Sequence, residues 1–204
     1  MIALADAPKA RDSDQRARIV ATAERLFREI GFQKTTVADI ARELRMSPAN
    51  VYRFFGSKAE IHGAVAHQLM GEVETAARQI ACGPGSAAER LTAMILSNEA
   101  MNAERYLADR KLHEMVEAAL AEHWPLIDEH IDRLDALIET IIASGMESGE
   151  FAGGNARLAA KLVRTACVRF CHPRLMVEQA NRPEPSSAQM IDFCLAALRA
   201  GIPS

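Results

Sequence analysis

Aromatic residues make up only 5% of this 204-residue chain, with a single Trp and two Tyr. Alternating apolar and polar runs are also missing, and without them a half-buried sheet has no face to pack. The reading is therefore all-α. No stretch of 18 apolar residues appears, which argues against a membrane partner or span. The four cysteines lack the spacing of a small stapled domain, so they read as reduced thiols. Nor is there a phosphate-cradling glycine loop, a Ser-His-Asp spacing, an internal repeat or a low-complexity tract. An enzyme is not the reading carried forward, and neither cofactor nor metal is expected. The opening MIALADAPKARDSDQR has no apolar core of a signal peptide. Residues 1–12 are expected to form a disordered arm, and the protein to stay in the cytoplasm.

What is present is helical punctuation. Ser13 precedes a pattern with Ile19, Ala23, Leu26, Phe27 and Ile30 on one stripe, closed by Gly31. Thr36 and Asp39 form a capping-box pair for a second helix whose inner face is Val37, Ile40, Ala41 and Leu44. Arg45-Met46-Ser47 is a turn; Ser47 caps a third helix, Pro48 to Phe55, with Pro48 at its first position. That helix buries Val51 and either Phe54 or Phe55. Ser57 and Glu60 form another box, opening a helix from Lys58 to about Ile80. Three short helices joined this way make a helix-turn-helix, whose default partner is double-stranded DNA.

The side chains suit that partner. Asn50 and Arg53 can hydrogen-bond base edges in a major groove. Thr35, Thr36, Ser47, Tyr52 and Lys58 offer hydroxyls or charge to phosphates, and the helix N-termini at Val37, Pro48 and Lys58 offer N–H groups. Charge is distributed accordingly. Residues 1–60 carry 11 Lys and Arg against 8 Asp and Glu, whereas the chain as a whole has net charge -3.

Gly31-Phe32, Thr35-Thr36-Val37-Ala38-Asp39-Ile40-Ala41 and Met46 through Lys58 together resemble the DNA-binding domain of the tetracycline-repressor (TetR) family. The resemblance covers roughly residues 13 to 65. It implies a helix-turn-helix domain at 13–57 and a larger helical domain at 58–204 that binds a small effector and forms a homodimer. It places Thr36, Tyr52 and Lys58 at phosphate-contacting positions, and Arg45, Ala49, Asn50 and Arg53 in or beside the reading helix. Two positions depart from the family pattern. Arg45 stands where a turn glycine is usual, and Arg53-Phe54 replaces an aromatic-histidine pair.

Beyond the head, Cys82-Gly83-Pro84-Gly85 breaks the fourth helix and Ser86 caps the next. Another helical segment is expected over Asp109–His123. Trp124-Pro125 then opens a long stripe ending at Gly145 or Gly149, and Asn155 caps a helix that His172-Pro173 interrupts. The last helix starts at Ser186 or Ser187. Leu158, Leu162, Val163, Ala166 and Cys167, with Ile191, Leu195 and Leu198, are the expected dimer interface. Leu69, Met70, Met94, Met101, Trp124, Ile127, Ile131 and Phe170 are the candidate pocket, whose lining implies a hydrophobic or amphipathic effector. A competing reading takes Cys167, Cys171 and His172 as a metal or thiol-sensing site in a module whose head meets a protein instead of DNA.

Overall fold

The computed structural model describes residues 7–106, 116, 118, 124–182 and 184–201. Among these the regular elements are helices: α1 (Ala7–Glu29), α2 (Val37–Glu43), α3 (Pro48–Tyr52), α4 (Lys58–Ala81), α5 (Ala87–Tyr106), α6 (Trp124–Glu147), α7 (Ala156–Cys171), α8 (Pro173–Glu178) and α9 (Ser187–Ala200). The helix expected over Asp109–His123 lies, apart from residues 116 and 118, outside the described residues. None of the described helices is long and apolar enough to cross a membrane. Two compact units divide within α4, between Leu69 and Met70.

The first unit gathers its apolar stripes around one centre. Ile19, Ala23, Phe27, Ile40, Val51 and Ile61 are all 0% exposed, each large one contributing about 1.5–3 kcal/mol by leaving water. Phe27 and Phe32 meet edge to face at 5.3 Å. Two expectations for α1 are corrected. The helix already runs at Ala7, so residues 7–12 are not a disordered arm and Ser13 lies within the helix rather than capping it. Pro8 is harmless in a first turn, and Ala7, Lys9, Ala10 and Arg11 favour helix. At the other end, Ile30 is 39% exposed, because the helix ends at Glu29 before the stripe comes round again.

The turn between α2 and α3 has a complete Schellman pattern. The N–H of Met46 donates to the Ala41 carbonyl at 2.8 Å and that of Arg45 to Arg42 at 3.1 Å. This geometry needs a left-handed residue, and Arg45 supplies it at φ 55°. A glycine would adopt it without strain.

In the second unit α5 lies against α7, α8 and α9. Leu91, Ile141, Ile142, Ala159, Ile191 and Leu198 belong to one buried cluster there. Of the two expected stop signals for α6, Gly149 is the one with positive φ, at 77°. Gly145 sits inside the helix, where the Phe151 ring and the Ala87 methyl press on it. The first turn of α5 is held from a distance: Glu150 accepts the N–H groups of Ala87 at 2.7 Å and Ala88 at 3.0 Å. Those donors have no partner within their own helix. The break at His172-Pro173 leaves carbonyls at the end of α7, and Asn102 donates to that of Cys171 at 2.7 Å.

Candidate functional site

α3 is a short helix with one foot in the core. Val51 anchors it at 0% exposure, so Ala49, Tyr52 and Arg53 face solvent and Asn50 is half-buried. Ser47 fixes its start by accepting the Asn50 N–H at 3.2 Å, with Pro48 beside it. The third helix is shorter than expected, ending at Tyr52. Phe55 is the aromatic that enters the core, at 2% exposure, and Phe54 is half-buried. The result is a row of hydrogen-bonding and basic side chains on a pinned helix, the arrangement that major-groove reading requires.

The expected phosphate contacts sort into three situations. Thr36 is exposed at the start of α2, and its hydroxyl donates to Asp39 Oδ2 at 2.6 Å. These bonds from the Thr36 hydroxyl and backbone, joined by Arg42, hold the Asp39 carboxyl below its ordinary value. Thr35 is a correction. It is 1% exposed and donates to the Gly31 carbonyl at 2.8 Å, so its hydroxyl serves the first unit's interior. Lys58 is half-buried, with Nζ 2.5 Å from the Phe32 carbonyl and 4.4 Å from the centre of the Phe32 ring. It ties the start of α4 to the loop between α1 and α2, a structural task that its spacing did not announce.

Sequence reasoning missed Arg16. Its guanidinium bonds the Phe54 carbonyl and lies 4.2 Å from the centre of the Phe55 ring, fastening the end of α3 to α1. Nothing local signals a pairing across 38 residues. Arg53 lies 4.9 Å from the Phe54 ring and 3.9 Å from Asp12, yet its side chain is 68% exposed. Arg45 is also exposed.

The dimer candidates divide in two. Val163, Cys167, Ile191, Leu195 and Leu198 are buried within this single chain. That corrects their assignment, since a side chain already covered by its own subunit's core cannot also form the centre of an interface. Leu158, at 40%, and Leu162, at 46%, remain exposed. Phe193 joins them on the neighbouring α9 at 70% exposure, a residue the expected set omitted. Ala166 is intermediate.

The expected effector residues do not line one described cavity. Leu69 is buried and belongs to the first unit, whereas Met94 is core in the second. Met70, Ile127 and Ile131 are half-buried, and Met101 packs against the second unit's core. The Trp124 side chain lies outside the described residues. Only Phe170 lines a cleft, of about 230 Å³, formed within the second unit. Its walls are Glu99 on α5, Arg169 on α7, Met176 on α8, Gln179, Ala180 and Arg182 after α8, and Ser186 and Ser187 at the start of α9.

Cys167 and Cys171 are poorly suited to redox or metal chemistry, which needs thiolate. Burial, helped by the charge of Glu99, pushes Cys171 up to about 12. Cys167 is also raised, by its hydrogen bond with Cys194 and by burial, while the same bond lowers Cys194. Among the described residues no three His, Cys, Asp or Glu side chains gather as a metal-binding group.

Two family models match this chain. Residues 19–65 match the bacterial regulatory proteins of the tetR family, and residues 87–190 match the tetracyclin repressor-like C-terminal domain. The HTH-type transcriptional regulator HbdR of Aromatoleum sp. (strain CIB) is 40% identical over 48 residues, 24% of this chain and 21% of that protein. This match therefore spans about a fifth of that relative's length. Among solved structures, SmeT, the repressor of the Stenotrophomonas maltophilia multidrug efflux pump SmeDEF, superposes with TM-score 0.66 at 16% identity, over 93% of this chain and 96% of that one. The transcriptional regulator FadR of Bacillus subtilis, solved with stearoyl-CoA, gives 0.61 at 18%, over 92% and 99%. These two likenesses establish a shared fold.

Proposed function

Because this chain belongs to the TetR family of transcriptional regulators, we propose that it is a dimeric repressor that reads a palindromic operator and responds to a small effector. The observation carrying this reading is α3, where Ala49, Asn50 and Tyr52, with Arg53 at its C-terminal cap, are presented on a helix pinned by Val51 and capped by Ser47. Asn50 and Arg53 read bases; Tyr52, Thr36, Arg45 and Lys58 meet the backbone, as do the N–H groups beside Ser47 and Pro48. Thr35 has no place in this set.

What the fold leaves uncovered supports dimerisation. Leu158, Leu162 and Phe193 expose apolar surface on two adjacent helices, and a second copy of the same face is the simplest cover. Two heads then span half-sites about 34–36 Å apart, which a single head holds weakly. α4 contributes residues to both units, so it is the element through which an effector would act. An effector stabilising one disposition of α4 over another shifts the fraction of dimers able to bind DNA. The repressor sense draws support from SmeT and the effector from FadR, each of which shares the fold. Such a protein works in the cytoplasm, beside its DNA, as a regulator and not as an enzyme.

Fluorescence anisotropy of the full chain on DNA from its own upstream region, titrated with salt beside an unrelated duplex, tests this directly. Selective, salt-sensitive binding of two subunits per site is expected. Equal weak binding to both duplexes, together with no enriched sequence in a random-oligonucleotide selection, overturns it. The thiol or metal alternative has no comparable observation behind it among the described residues.

A further inference from the structure

The cleft in the second unit has a composition unlike that of an oily effector pocket. From the walls of this space of about 230 Å³, Arg169 and Arg182 contribute two positive charges and Ser186 and Ser187 two hydroxyls, while Phe170 and Met176 supply the apolar part. Arg169 is held in place: its guanidinium donates to the Arg182 carbonyl at 2.8 Å and lies 5.0 Å from the centre of the Phe170 ring. One of five donors is thereby used, and the rest of the fork remains for a ligand. The 14-residue α9 begins at this same cleft, adding the positive end of its dipole.

We propose that this cleft binds a small amphipathic carboxylate. Two arginines in the lining favour an anion, and the planar fork of a guanidinium matches a carboxylate. Among the described residues Glu99 is the only acidic one in the lining. Its charge opposes a phosphate dianion more strongly than a monoanion, which favours the carboxylic acid. Size limits the rest. The volume falls below the roughly 300–1,000 Å³ of pockets for drug-sized ligands, so the cleft itself holds a short chain or a single ring. Phe170 and Met176 take that apolar body. The site deepens the effector reading above, but its occupancy does not depend on it.

The test uses the full-length protein without DNA, titrated by calorimetry with hexanoate as probe and with hexanamide and butyl phosphate as comparators. Saturable binding of one hexanoate per chain is expected, with hexanamide and butyl phosphate each much weaker. Arg182→Ala should weaken hexanoate roughly 10- to 100-fold, the worth of a charged hydrogen bond. Ser187→Glu should abolish binding with no fall in melting temperature, because an acidic residue in the first turn favours the helix. Butyl phosphate binding as tightly as hexanoate overturns the carboxylate assignment. Absence of saturable hexanoate binding, equal binding of hexanamide, or binding undiminished in both variants overturns the site. Repetition with operator DNA separates the two readings. Hexanoate binding that leaves DNA affinity unchanged keeps the site and refutes this acid's role as effector.

Discussion

The Phe151 ring leaves no room for a methyl group on Gly145: a Cβ there would stand 2.4 Å from Phe151 Cδ2 and 2.8 Å from the Ala87 methyl. Gly145→Ala should therefore destabilise the second unit by about 1–3 kcal/mol, the usual cost of overpacking a close-packed site. Gly71 in α4 is the control, since a Cβ there meets nothing within 4 Å among the described residues. Gly71→Ala should be neutral or stabilise by up to about 1 kcal/mol. Urea denaturation of both variants measures the contrast, and equal effects would refute the packing argument.

Arg45 holds a left-handed conformation at φ 55°. Relief of that strain, about 1–2 kcal/mol for an L-residue, outweighs the entropy that glycine adds to the unfolded chain. Arg45→Gly should raise stability by up to about 1 kcal/mol in thermal melts. If Arg45 touches a phosphate, the same variant should bind operator less tightly and with a shallower salt dependence. Stability and affinity thus move in opposite directions.

Lys58 and Asn50 should behave differently. Lys58→Ala removes the link to the Phe32 carbonyl and ring, costing about 1 kcal/mol of stability. Its loss as a phosphate contact would flatten the slope of log affinity against log salt by about 0.9. Asn50→Ala should leave stability and salt slope nearly intact while relaxing base preference in a selection. An unchanged selection profile for Asn50→Ala would remove Asn50 from the interface, and an unchanged salt slope for Lys58→Ala would remove Lys58.

Acid should weaken the second unit through Glu74 and His130, whose Oε1 and Nδ1 are 2.8 Å apart. Burial works to raise the Glu74 carboxyl, but hydrogen bonds from His130 and Arg133 outweigh it and hold the group below its ordinary 4.5. Burial pushes His130 below its ordinary 6.5 despite the carboxylate beside it. Both folded-state values are depressed, so both groups stabilise at higher pH. That contribution is lost as pH falls, first below about 6.5 and then below about 4.5. Glu74→Gln should flatten the lower limb in a series of urea melts against pH; an unchanged limb would refute the assignment.

Phe193 is 70% exposed, so Phe193→Glu should leave the fold intact. Sedimentation should then find a monomer, with operator binding weakened far beyond the effect on one head. A persistent dimer would place the interface elsewhere.

Residues that act within a few positions of one another were legible in the sequence. Thr36 with Asp39 and Ser47 with Pro48 cap the helices that their order implies; for the last helix the order left Ser186 and Ser187 open, and the box with Gln189 selects Ser186. Long-range facts were not. Thr35 and Thr36 are chemically identical neighbours, and only the path of the chain beyond Gly31 turns one hydroxyl inward. On α7, Val163 and Leu162 are adjacent and equally apolar. Contact with α5 and α9 makes one of them core and leaves the other exposed. The cleft escaped for a related reason, because Arg169, Arg182 and Ser187 belong to separate segments whose meeting no periodicity encodes.

Glu150 ties the beginning of α5 to chain made 63 residues after it. Helix caps are usually local, so a helix can start as soon as it leaves the ribosome. Here the amides of Ala87 and Ala88 gain their acceptor only when the loop after α6 arrives. Exchange protection at those two amides therefore serves as a clock for closure of the second unit, and marks when this helix ceases to fray.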